Sequence, residues 1–472
     1  MQNVTFFGAG YVGLTTAAHV AGTHKVVVYD PDEVKRTAIE AVLEGDTDHL
    51  YIHEAGLVEL LRKNKRNIHP TSTLDEALEK PELIILAVGT PSIPETGHAN
   101  LKYLVEAAQA IGSHLLHDAV VLVKSTVPPG TSSMLDDVLF EQLGIAGSPA
   151  RVAVGACPEF LAEGTAMADL RTPYRVVVGL DDPQAQREVH RFFRTMYGEG
   201  TILMTDVASA ELSKHASNAM LATRITFVND LARLCEAVGA DIKAVTRAMG
   251  MDPRIGSKFL NAGFGYGGSC FPKDTRALAT FARGLHVPLP IVEAAIAGNE
   301  VATERFTQNI LASYNGDLTG EQFVLWGVGF KAGTDDLRDS RAVEVMRTLL
   351  ERGATVHVYD PVAGARRNLE EDFESALGHH LFTYDSQYGM APLVDHPSII
   401  IGNEDNQFRS VDVAPFGSVR TVFDGKNVLS AEEVLALQEA GVQYHGVGRG
   451  TLTGSASRPD LVAYLRHHYM DG

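Results

Sequence analysis

Cysteine is scarce in this 472-residue chain: there are three, Cys157, Cys235 and Cys270, odd in number and far apart. That excludes a disulfide framework, suits a reducing cytoplasm and leaves room for one reactive thiol. Basic charge is in deficit too, with 40 Lys and Arg against 59 Asp and Glu and a net charge of −19. Such a balance argues against general affinity for nucleic acid or anionic membrane, although a local basic site can still take a phosphorylated small molecule. No apolar run approaches the roughly 20 residues that span a bilayer. "MQNVTFFGAGYVG" lacks the basic start and cleavage region of a signal peptide; it reads as a strand entering a glycine turn. There is no low-complexity tract, and 45% hydrophobic with 21% charged residues is a globular composition. The length implies two or three domains, and the expected location is the cytoplasm.

What is present falls into three segments. The first opens with "NVTFFGAGYVGLTTAAHVA", where Gly8, Gly10 and Gly13 form G-x-G-x-x-G, and continues with "KVVVYD", ending in Asp30. A dinucleotide site needs these parts in this order. Glycines let the backbone approach a pyrophosphate at a helix N-terminus, and an acid about 20 residues on accepts the ribose hydroxyls. The free carboxylate would repel a 2′-phosphate, so NAD is expected rather than NADP. The runs "ELIILAVGTP" and "AVVLVKSTVPPGT" alternate with helical stretches and read as further parallel strands. The second segment is helical: "SAELSKHASNAMLATRITFVNDLARLCEAVG" has no proline and closes at Gly239. A helix of about 30 residues suits a domain link or a dimer interface. Glu211, Lys214 and Asn218 recur at spacings of three and four on one face, with a solvated Glu211–Lys214 pair as the plain expectation. The third segment echoes the first. "QFVLWGVGFKAGTDDLRDS" enters a glycine turn at Gly327, Gly329 and Gly333, and "ATVHVYDP" repeats "KVVVYDP". The expected architecture is α/β: two Rossmann-like, doubly wound domains joined by a long central helix and a helical dimerisation region. The expected boundaries are 1–204, 205–305 and 306–472, with a ligand cleft between the sheets.

Cys270 stands out in "FLNAGFGYGGSCFPKD". A thiolate is the nucleophile, and nearby positive charge or a helix N-terminus promotes it. The glycines can expose amides, Pro272 can open a helix, and Lys273 and Asp274 offer a cation and a proton acceptor. The plain alternative is a small buried hydrophobe. In "CPEFLAEG", Pro158 suits a first helical turn that would set Glu159 and Glu163 one above the other, either as an acid–base pair or as surface charges, with Cys157 as packing.

The motifs "GAGYVG", "AVGTP", "STVPPGT", "PEFLAEG", "ELSKHASNAMLA", "FLNAGFGYGGSCFPKD", "GFKAGTDDLRDS" and "YHGVGRG" resemble, in this order, those of the UDP-glucose/GDP-mannose dehydrogenase family, with the cysteine stretch most specific and closest to its UDP-glucose enzymes. The resemblance implies a four-electron oxidation of a UDP-sugar CH2OH to a carboxylate by two NAD, through a thiohemiacetal and a thioester on Cys270. It further implies that Lys214 stabilises, or takes up the proton of, the oxygen at the reacting carbon, with Asn218 adding an oxyanion hydrogen bond. Asp274 with Thr126 would hold a water, and Glu159 would act as base in thioester hydrolysis. By resemblance the cofactor would meet Gly8, Gly10, Tyr11, Val12, Gly13, Asp30, Lys35, Thr90, Thr126 and Glu163, with Lys273 and Arg338 at its far end. The sugar nucleotide would meet Phe160, Leu161, Ala162, Glu163, Lys214, Asn218, Phe259, Leu260, Asn261, Ala262, Gly263, Gly267 and Lys331. Arg254 would reach it from the second subunit of a homodimer. No metal is expected.

The chain departs from the family's pattern at Ala162, Cys157, Arg341 and "IIIGNEDNQF", which leaves the sugar nucleotide open, GDP-mannose and UDP-N-acetyl-hexosamines included. Two other readings stay open: a two-electron hydroxyacid-type dehydrogenase, which needs no cysteine, and a non-catalytic sensor of NAD or sugar nucleotide.

Overall fold

The computed structural model describes residues 3–46, 49–93, 96–450 and 459–469. The chain divides into two compact units, Met1–Ser217 with Arg276–Val287, and Asn218–Thr275 with Pro288–Gly472.

The first unit is built on eight strands: β1 Asn3–Phe7, β2 Lys25–Tyr29, β3 Ile68–Thr71, β4 Leu83–Leu86, β5 Ala119–Val123, β6 Val152–Ala156, β7 Val176–Gly179 and β8 Ile202–Thr205. Their order is β3-β2-β1-β4-β5-β6-β7-β8. The first six are parallel, β1 pairing Asn3 with Lys25, and β7 turns antiparallel to β6. The order of the first six is that of a dinucleotide-binding sheet, whose switch point lies between β1 and β4. Apolar runs become strands here because both faces are covered; all five residues of "AVVLV" in β5 are buried.

The second unit repeats the plan with β9 Gln322–Trp326, β10 Thr355–Tyr359, β11 Leu381–Tyr384, β12 Ser398–Ile401, β13 Thr421–Asp424 and β14 Gln443–Gly446, all parallel, in the order β11-β10-β9-β12-β13-β14. The echo seen in the sequence is thus an echo in topology. It extends to detail: Arg36 donates to the Asp30 carbonyl, and Arg366, at the same offset, donates to the Asp360 carbonyl. The departure "IIIGNEDNQF" serves packing, since Asn403 donates to Asp360 while the Phe408 ring stacks on buried Trp326.

The long helix Val207–Val238 runs 32 residues and ends where Gly239 takes φ +75°, a left-handed C-terminal stop that glycine adopts without strain. Among the described residues, no helix is long and apolar enough to cross a membrane.

His357 on β10 carries a pH signature. Its ring stacks on Phe382 and its Nδ1 lies 2.9 Å from the Tyr384 hydroxyl; burial lowers its pKa to about 4. Below an unfolded value near ~6.5 the unfolded chain binds a proton that the folded one refuses. Stability is therefore complete above that value and falls as pH drops toward 4. We expect His357→Phe to be about 2 kcal/mol less sensitive than the parent between pH 7 and pH 4.5, read as the difference in denaturant midpoints. Equal sensitivity would show that the imidazole titrates freely in the fold.

Candidate active site

In the first unit the turn after β1 divides its three glycines by task. Gly8 takes φ +102° and donates its N–H to the Tyr29 carbonyl at 2.9 Å. Gly13 has no room for a side chain, because a Cβ there would sit 2.0 Å from the Gly8 carbonyl oxygen; a Cβ at Gly10 would meet nothing within 4 Å. Gly13 is thus needed for helix–strand packing, while Gly10 leaves open space at the N-terminus of the helix Tyr11–Val20, the place a pyrophosphate requires. Asp30 directly follows β2 and accepts from Ala9 N of that turn at 2.7 Å, with Lys35 Nζ at 3.5 Å. These residues fit NAD. Thr90 donates to the Thr126 carbonyl at 3.0 Å, joining the loops after β4 and β5.

The segment 157–165 differs from expectation. Glu159 and Glu163 are not stacked on a helix: the chain is irregular there and the next helix starts at Ala166. The reason is local. The Glu159 carboxylate turns back to accept from Phe160 N at 2.6 Å and Leu161 N at 2.9 Å, and Lys124 Nζ holds its other oxygen at 2.5 Å. Glu163 precedes Gly164, whose N–H reaches Glu54 Oε2 at 2.9 Å, and Tyr11 donates to the same oxygen at 2.5 Å. Cys157 is buried, as expected of packing, and Ala162 N donates to Asp169.

The expected solvated Glu211–Lys214 pair is also absent. Glu211 is buried and accepts from Gly130 N at 2.7 Å and from Ser132 N and Oγ at 2.8 and 2.7 Å. It caps the start of the helix Thr131–Ala146, and its neighbour His215 donates through Nε2 to the Val127 carbonyl at 3.0 Å. Both fix the long helix to the "STVPPGT" loop. Lys214, released from Glu211, is buried with no carboxylate partner among the described residues. Its Nζ lies 5.4 Å from the centroid of Phe160, whose ring also carries the Arg175 guanidinium at 3.9 Å.

In the second unit Cys270 is exposed. Its carbonyl accepts from Asp274 N at 2.8 Å, so it is the N-terminal cap of the helix Phe271–Gly284. The thiol therefore stands where helix amides raise the local potential. Asp274 is buried and bound on both oxygens: Lys273 Nζ at 2.5 Å on one, Asn218 Nδ2 at 2.6 Å on the other. The preceding glycines are shaped by close approach. Gly268 takes φ +87° against the Phe330 ring, and a Cβ at Gly267 would lie 2.1 Å from the Asp339 carbonyl oxygen. Gly263 N reaches Asn229 and Tyr266 N reaches Asn299. Arg341, one of the departures, is buried and ties the Tyr266 carbonyl to Glu300 and Glu344. Phe259 is half exposed at φ +61°, a conformation that bulky side chains adopt only where the surroundings impose it. Leu260 and Ala262 are buried and Asn261 is exposed. Lys331 lies beside the Phe330 ring, Arg338 pairs with Asp336, and Arg254 pairs with Asp252 while its side chain stays exposed. Among the described residues there is no cluster suited to a metal ion.

Sequence reasoning missed Lys124, His215, Glu54 and Lys426. Lys426 Nζ sits 5.2 Å from the Phe264 centroid and 3.4 Å from the Gly265 carbonyl, so it touches the glycine-rich segment itself. The usable signal was a lone lysine closing an apolar strand, in "AVVLVK" and again after "TVFDG".

Comparison with known proteins covers nearly the whole chain. Residues 2–197 match the NAD binding domain of the UDP-glucose/GDP-mannose dehydrogenase family, 208–301 its central domain and 324–431 its UDP binding domain. A UDP-glucose 6-dehydrogenase of Rhizobium meliloti is 37% identical over 95% of this chain and 100% of its own; one of Bacillus subtilis is 35% identical over 97% and 100%. The structure of a UDP-glucose dehydrogenase from Pyrobaculum islandicum superposes with a TM-score of 0.82 at 33% identity, over 95% of this chain and 98% of that one. With family models matched in all three parts of the chain and relatives of more than a third identity along nearly its full length, the chain belongs to the UDP-glucose/GDP-mannose dehydrogenase family.

Proposed function

We propose that this dehydrogenase oxidises UDP-glucose to UDP-glucuronate with two NAD, through a covalent intermediate on Cys270. The observation that carries the reading is an exposed thiol capping a helix four residues before Asp274, a buried acid gripped by Lys273 and Asn218. Packing needs no exposed thiol, and binding alone needs no buried acid held from both sides.

When bound, NAD would supply the hydride acceptor for each oxidation. Cys270 Sγ adds to the aldehyde carbon left by the first, giving a thiohemiacetal that cannot diffuse away, and the second oxidation leaves a thioester. Lys214 and Asn218, one turn apart on the long helix, stabilise the charge on the oxygen of the reacting carbon. Asp274 with Thr126 holds a water, and Glu159 serves thioester hydrolysis. Val12, Asp30, Lys35, Thr90 and Glu163 meet the cofactor, with Lys273 and Arg338 at its far end. Residues 160–163, 259–263, Gly267 and Lys331 meet the sugar nucleotide. We read the domains as 1–204, 205–305 and 306–472, in a reducing cytoplasm. Met220, Phe227, Leu234 and Val238 lie exposed along the central helix at spacings of seven, seven and four, which supports pairing of two copies through it, with Arg254 reaching across.

The test is a panel of UDP-glucose, UDP-N-acetyl-hexosamines and GDP-mannose with NAD and NADP, counting reduced cofactor per sugar. Two NADH per UDP-glucose is expected. One per substrate would favour the two-electron dehydrogenase, and tight binding with no reduction would favour the sensor.

A further inference from the structure

Lys124 is the last residue of an apolar run, one position past β5, and it is buried. A buried ammonium is retained only where something opposes its desolvation. Burial acts to lower its pKa, yet Glu159, and secondarily Cys157, drive the net shift upward, so it is a cation. Its partner is saturated in an unusual way. Glu159 Oε1 takes two backbone N–H groups, from Phe160 and Leu161, and Oε2 takes Lys124 Nζ. A carboxylate offers about four lone-pair directions. Three are filled, which leaves one, on Oε2, whose direction the ammonium sets. A cavity of about 40 Å³ adjoins the pair, also lined by Cys157 and Tyr197; it has room for roughly two waters.

We propose that Lys124 is a positioning residue for hydrolysis of the intermediate: it holds the Glu159 carboxylate in place and aims its one remaining lone pair at the attacking water. This rests on the reading of Glu159 as the hydrolytic group. In that step the water oxygen bonds to the thioester carbon, the carbon–Sγ bond breaks, and Cys270 recovers its thiol. One water proton passes by way of Glu159 and the other leaves with the acid. No electrons move, so the two hydride transfers that precede it need no Lys124.

Rapid-mix kinetics separate the steps. Lys124→Met is expected to release two NADH per enzyme in a first-turnover burst at near-parental rate. Steady turnover should then slow by about a hundredfold, the size of effect a general base contributes, with the acyl adduct visible in intact mass. Lys124→Arg, which keeps the charge and tests a variant with less risk to folding, should restore part of the rate. Lys124→Met combined with Glu159→Gln should be no slower than Glu159→Gln alone, since one acts through the other. Losses that multiply, or a Lys124→Met and Lys124→Arg pair with unchanged steady rate, overturn the proposal. A Glu159→Gln enzyme that hydrolyses normally overturns it together with the reading of Glu159, whereas a slow Glu159→Gln beside an unaffected Lys124 series overturns the proposal alone.

Discussion

Cys270→Ser is expected to lose about a thousandfold in complete turnover to the acid while binding NAD and sugar nucleotide as the parent does. The fold should not register the change. The residue is exposed, and it caps its helix through its carbonyl, which accepts from Asp274 N, rather than through its sulfur; serine is itself a preferred cap. What changes is chemistry. A hydroxyl is far less ionised than a thiol at neutral pH, so the aldehyde is trapped slowly. Any ester that forms expels a poorer leaving group than a thiolate. The measurement is NADH released per enzyme over time, with intact mass to detect a stalled adduct and calorimetry to confirm the fold. Acid produced at an undiminished rate would remove Cys270 from the chemistry.

Much of the molecule was legible because its signals are local. Gly8, Gly10, Gly13 and Asp30 lie within one βαβ unit, so their spacing alone announced the cofactor turn. The second sheet was legible as an echo of the first, and Gly239 marked the end of the central helix. What failed depended on partners distant in sequence. Pro158 gave a sound helix-start signal, yet the Glu159 carboxylate is claimed by Lys124 and its own following amides, and the segment stays irregular. Glu211 and Lys214 sit at ion-pair spacing, yet Ser132, 79 residues earlier, takes the carboxylate. A charge satisfied by buried backbone donors is stronger than one paired at a solvated surface. Helix spacing cannot foresee that donor. Arg341 shows the same limit: a departure from the family's pattern in sequence, it is in the fold the tie between Tyr266 and two glutamates.

That rearrangement determines what Lys214 should do when removed. With Glu211 committed elsewhere, Lys214 is a buried cation without a carboxylate partner among the described residues, so the folded state gains little from its charge. Lys214→Met keeps an unbranched stem beside Phe160 and deletes the ammonium. Stability should hold or rise, because an unopposed buried charge disfavours folding. Turnover should fall by about a hundred- to a thousandfold, the loss seen when one preorganised donor to a developing oxyanion is deleted, with the KM for sugar nucleotide changed far less than kcat. A cation that matters only when charge builds up on the substrate oxygen lowers the barrier and not the ground state. Thermal unfolding and steady-state kinetics on one preparation separate this from a structural role. An unstable variant that keeps its specific activity would make Lys214 part of the scaffold, and the charge opposing the reacting oxygen would then have to come from elsewhere.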